Sequence, residues 1–188
     1  MQTEYPIDKT MAVDSPRTPV LESLTKENIS LRRQSASLRV EDGWLIGFDS
    51  GEWGGALYWS SDSGETYYQI LPSFQVNNFF QRRDGIFATE GMANMSINRG
   101  GIIKIEQNTQ GIWNAEKVVE LPAKPRKILS ITSDGTVTFE LYWDSSVVKV
   151  NPDWTFAYRK PGKKQFWTWW VLPVVILGIA RFVKFLLE

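Results

Sequence analysis

Asp49, Glu52 and Trp53 lie within FDSGEWGG, residues 48–55, where three glycines and a serine give the backbone unusual freedom. Two carboxylates three residues apart have the composition of a general acid/base pair. The same carboxylates beside a tryptophan also suit capture of an arginine or lysine of a peptide, a sugar ring or a partner's surface. Other chemistries are excluded outright. The chain has no histidine and no cysteine, so no Ser-His-Asp or Cys-His nucleophile can be assembled and no His- or Cys-ligated zinc site exists. No GxxxxGK[ST] and no GxGxxG is present, so no phosphate-cradling loop is signalled. Nothing calls for a cofactor or a metal, and SSDSGET (residues 60–66) reads as a hairpin tip, without the ligand series of a calcium loop.

The elements that must position these residues repeat. From about residue 35 the sequence falls into three units, each with an Asp-Gly (Asp42-Gly43, Asp84-Gly85, Asp134-Gly135) and each closing on a proline (Pro72, Pro122, Pro161). Between these marks lie short β-rich runs with two-residue alternation, such as Ile103 and Ile105 against Lys104 and Glu106. Asp-Gly is a hairpin signal, and a proline that cannot donate to a ladder ends a strand. Aligning the units on Asp-Gly puts an acid at the end of each second strand: Asp49, Glu90 and Glu140. The loop of the second unit, TEGMANMSINRGG, carries Asn94 and Arg99, and that of the third, FELYWDSS, carries Trp143. If the units stack side by side, all three loops share one face, the usual place for recognition on a β scaffold. The bland alternative is that the acids are solvated or satisfy turn amides and that Trp53 packs over the sheet.

Trp44, Tyr58, Trp59, Tyr67, Tyr68, Phe79, Phe80 and Phe87 fall in the strands and read as core. Tyr67-Tyr68 and Phe79-Phe80 are adjacent, so one member of each points to either side of its strand. Either both faces are covered, or one is aromatic and exposed.

Units of this length with four strands each resemble the blades of WD40 or kelch β-propellers over residues 35–161. The resemblance rests on strand rhythm and turn chemistry. The Gly-His, Trp-Asp and double-glycine signatures of those families are not reproduced. It implies three four-stranded sheets, two copies pairing to six blades, or, failing that, an antiparallel sandwich or barrel.

The flanks read differently. Residues 1–20 hold three prolines and no apolar period, the composition of a disordered tail; the β-rich domain is expected over 21–161. In 162–188 the stretch from Phe166 to Ala180 is uncharged over 15 residues, and extending to Leu187 takes in Arg181 and Lys184. A C-terminal transmembrane helix is expected there, with Arg181 and Lys184 snorkelling and Trp167, Trp169 and Trp170 at the opposite interface. An interfacial amphipathic helix or a helix packed in a complex are the alternatives. The cations Arg159, Lys160, Lys163 and Lys164, with no basic leader at the N-terminus, predict a tail-anchored, single-pass protein with its body at the cytoplasmic face. The net charge is zero, so a nucleic-acid partner is not indicated. The preferred reading is a non-enzymatic interaction module whose expected contacts are a protein partner, the bilayer and, where the units pair, a second copy. An accessory subunit of a larger membrane complex and a membrane-bound carboxylate hydrolase are the runners-up.

Overall fold

The computed structural model describes Leu31 and residues 33–160. Twelve strands form three four-stranded antiparallel sheets, each a simple meander of consecutive strands. Sheet 1 holds β1 (Gln34–Val40), β2 (Gly43–Asp49), β3 (Gly55–Ser60) and β4 (Tyr67–Pro72). Sheet 2 holds β5 (Val76–Arg82), β6 (Gly85–Asn94), β7 (Ile97–Gln107) and β8 (Trp113–Leu121). Sheet 3 holds β9 (Pro125–Ile131), β10 (Val137–Leu141), β11 (Val147–Val150) and β12 (Phe156–Arg159).

The turn chemistry explains the first hairpin of each sheet. Val40 pairs with Gly43 and Arg82 with Gly85, so each hairpin turns on two residues, the second an aspartate. In sheet 3 the turn is longer, with Thr132 N–H bonded to Thr136 O and Gly135 N–H to Thr132 O. Pro72 ends β4 and Pro122 follows β8.

Sheet 2 is the middle layer, and both its faces are apolar because successive side chains of a strand point opposite ways. Phe80, Phe87 and Ile102 face sheet 3, where they pack with Val137, Phe139, Leu141, Val148 and Val150. Phe79, Ala88, Ile103 and Ile105 face sheet 1, against Val40, Leu45, Leu57 and Tyr68. The adjacent pairs divide accordingly: Phe80 and Phe79 enter different clusters, and Tyr67 and Tyr68 do the same on β4. Both faces are covered, and neither pair forms an exposed aromatic face.

The far face of sheet 1 is buried too. Trp44, Ile46, Phe48, Ala56 and Tyr58 cluster there with Leu31. The far face of sheet 3 is polar, carrying Lys127, Thr138, Glu140 and Lys149. Strand packing runs from sheet 1 to sheet 2 and from sheet 2 to sheet 3, with no substantial strand contact from sheet 3 back to sheet 1.

The expected β body plus transmembrane helix is corrected to an all-β fold. The described residues contain no α-helix, and none of their helices is long and apolar enough to cross a membrane. The transmembrane, tail-anchored and single-pass membrane assignments are corrected with it. The physical weakness lay in the length: an uncharged run of 15 residues is shorter than the roughly 20 helical residues a bilayer core requires. The expected membrane-facing residues, Lys163, Lys164, Trp167, Trp169, Trp170, Arg181 and Lys184, lie outside the described residues, as does the tail over 1–20.

Candidate functional site

Each sheet begins its first strand beside the end of its second. Gln34 pairs with Phe48, Val76 with Glu90 and Pro125 with Leu141. In each sheet the connection from second to third strand leaves at this end, and the cross-sheet contacts below bring the three connections together. In sheet 1 this connection is a 3-10 turn, Gly51–Trp53. In sheet 2 it is the Met95-Ser96 turn between Asn94 and Ile97, at the tip of the longest hairpin. In sheet 3 it runs from Tyr142 to Ser146.

Cross-sheet contacts hold the three connections together. Asn94 Nδ2 donates to Glu52 Oε2 at 2.6 Å, tying the tip of sheet 2 to the turn of sheet 1. Lys124, on the link between sheets 2 and 3, reaches Asp49 Oδ2 at 2.5 Å. Its Nζ stands 5.3 Å from the centre of the Tyr142 ring. Its backbone N–H donates to Asn98 Oδ1 at 2.9 Å, and its carbonyl accepts from Tyr142 N–H at 3.0 Å. One lysine thus touches all three sheets.

The three second-strand acids all have internal cations. Asp49 has Lys124 and also accepts from Gly51 N–H at 3.0 Å. Glu90, buried, pairs with Lys117 on β8 at 3.0 Å. Glu140 pairs with Arg126 on β9 at 3.3 Å. The spacing that looked like an acid/base pair therefore puts Asp49 into a buried ion pair and Glu52 into a hydrogen bond with Asn94. Arg99, exposed on β7, makes no ion pair with another described residue.

The exposed surface of this end is apolar and aromatic. Trp53 is 59% exposed, Met95 88%, Ile97 48% and Trp143 60%, with Tyr142 beside them. Trp143, Met95 and Ser145 also hold positive φ, at 80°, 41° and 52°. A bulky side chain is seldom found in that region, and such strain clusters where a surface is used. Trp53 and Trp143 were recognisable from the sequence. Met95, Ile97 and Tyr142 were missed, although their place in the same two loops was a usable signal. Lys124 was missed as well. Nothing local distinguishes it, since its partner is 75 residues away.

Aspartates cap the turns of sheet 3. Asp144 accepts from Ser146 N–H at 2.9 Å, and the Ser146 hydroxyl and N–H hold its carboxyl below the usual carboxylate range. Asp134 and Asp153 are lowered in the same way, first by the hydroxyls of Thr132 and Thr155 and then by the N–H groups of Thr136 and Thr155. These are Asx-type turns, in which the side chain replaces a backbone acceptor. Among the described residues no cluster of three or more Asp or Glu is placed to hold a metal ion.

Comparison with protein families, curated proteins and solved structures found no match.

Proposed function

We propose that the chain is a non-catalytic protein-binding module, and that it binds through the end of the array formed by the Gly51–Trp53 turn, the Met95-Ser96 tip and the 142–146 connection. One observation carries this reading. Of the nine large hydrophobic side chains left exposed among the described residues, five (Trp53, Met95, Ile97, Tyr142 and Trp143) sit on or directly beside these three equivalent loops. Scattered exposed apolar residues need no explanation, but a cluster of this kind marks an interaction surface. Tryptophan, tyrosine and methionine are also the residues enriched in the cores of protein interfaces. The polar bonds around the cluster, Asn94 to Glu52 and Lys124 to Asp49, hold the loops in place before a partner arrives, which lowers the ordering cost of binding. The acids contribute as this frame and not as free hooks for a partner's cations.

The test is recovery of the full chain from its native cells together with its bound proteins. The parent is compared with the Trp53→Ala/Trp143→Ala variant and with Ile112→Ala, a substitution of an exposed apolar side chain in the β7–β8 turn at the opposite end of sheet 2. The loop-end variant should lose a co-purifying protein by tenfold or more with an unchanged unfolding midpoint, while Ile112→Ala keeps it. Equal retention in all three proteins would remove the loop end from consideration.

A further inference from the structure

At the centre of the loop end the first strands of all three sheets border a pocket of about 200 Å³. Sheet 1 contributes Arg33 and Asp49, sheet 2 Asn78, and sheet 3 Arg126 and Tyr142. Drug-sized ligands occupy pockets of roughly 300–1,000 Å³, so this one suits a group the size of a single side chain. We infer that it receives one carboxylate of the bound partner, an aspartate or glutamate side chain or a chain terminus. The inference rests on the loop end being the binding surface.

Charge counting supports a single negative charge. Asp49 is neutralised by Lys124, and Arg126 is neutralised by Glu140. Arg33 is exposed and makes no ion pair with another described residue, so among the described residues it is the lining cation without an acidic partner. A guanidinium offers paired N–H donors in the geometry a carboxylate accepts. Asn78 and Tyr142 add neutral polar groups to the lining. A dianion would leave one charge unmatched beside the Asp49 carboxylate, which disfavours a phosphate. The aromatic side chains of the surrounding loops would then cover the apolar residues flanking the partner's acid.

The experiment reads the pocket without any partner protein. N-acetyl-glutamate methylamide, its glutamine counterpart and inorganic phosphate are titrated into the full-length chain, with binding followed by ligand-observed NMR. The glutamate compound should saturate in the millimolar range and bind at least tenfold more tightly than the glutamine compound. Arg33→Gln should erase that preference, and Ile112→Ala, at the opposite end of sheet 2 and outside the pocket, should preserve it. Equal binding of the two amides, no saturable binding of either, or tighter binding of phosphate than of the glutamate compound would each overturn the assignment. Because this readout does not involve the exposed loop tryptophans, it can fail while the loop-end assay succeeds, and the reverse.

Discussion

Lys124 and Asp49 meet at 2.5 Å across 75 residues of sequence, with side chains only 9% and 14% exposed. The pair joins sheet 1 to the link between sheets 2 and 3, so it fixes the loop end as a unit. Removing one partner from such a pair leaves the other charge buried and uncompensated. Lys124→Met should therefore cost about 3 kcal/mol in urea unfolding. The double variant Lys124→Met/Asp49→Asn keeps an acceptor for Gly51 N–H and should recover more than half of the loss. A double variant no better than the single one would show that the lysine acts through packing over Tyr142 and not through charge.

Arg82 clasps sheets 2 and 3 from the other end. Its side chain is 2% exposed, and its guanidinium stands 4.3 Å from the centre of Trp154 and 5.0 Å from that of Phe87. It also donates through Nε to Asp84 Oδ1 at 2.8 Å and through Nη2 to the Pro152 carbonyl at 3.2 Å. A lysine keeps the charge but loses the planar stack and the fork. Arg82→Lys should destabilise the fold by about 1–2 kcal/mol and speed hydrogen exchange in β10 and β11. The exposed Arg39, which pairs with Asp62, serves as the comparison. Arg39→Lys should cost less than about 0.5 kcal/mol, and equal losses at the two sites would refute the clasp.

Gly101 makes room for the buried Glu90. A Cβ at this position would stand 2.6 Å from Glu90 Oε1 and 2.9 Å from the Val119 carbonyl. The carboxylate can swing away, but doing so loosens its bond to Lys117, and the carbonyl on β8 cannot move without disturbing the ladder. Gly101→Ala should destabilise by about 1–3 kcal/mol in denaturant unfolding. An unchanged or raised midpoint would mean that the strand shifts freely.

The turns of sheet 3 should respond to acid. Asp134, Asp144 and Asp153 are all held below the usual carboxylate range by turn hydroxyls and N–H groups. A carboxyl whose folded pKa is depressed adds stability that is present above its unfolded value, about 3.9. That stability is lost as pH falls through the lower folded value. Stability should therefore decline below about pH 4. Asn at all three positions keeps the turn acceptor but removes the titration, so the acid limb of the midpoint-against-pH curve should flatten. An unaltered limb would assign the acid response to other carboxylates.

Period-two alternation and three Asp-Gly marks were enough to read a β-rich chain in three units of four strands, with turns close to where they stand. Both are local properties: alternation follows from the pleat of a single strand, and turn chemistry from a few neighbouring residues. The loops of FDSGEWGG and TEGMANMSINRGG were legible as a surface for the same reason. The apolar run at 166–180 suggests a spanning helix through its lack of charge, its tryptophans and its flanking cations, but these features do not make up for a run shorter than the bilayer core.

The sequence by itself determined where the strands turn and which side chains alternate along them. Only the tertiary structure decided what each face meets. Phe79 and Phe80 could not be assigned to two covered faces until sheets 1 and 3 were seen on either side of sheet 2. Asp49 looked free until stacking brought Lys124 beside it. Met95 and Tyr142 gained significance only when three loops distant in sequence converged at one end. Charge pairing and solvent exposure depend on which elements stack, and stacking is set by the summed burial of many apolar side chains, which no local window contains.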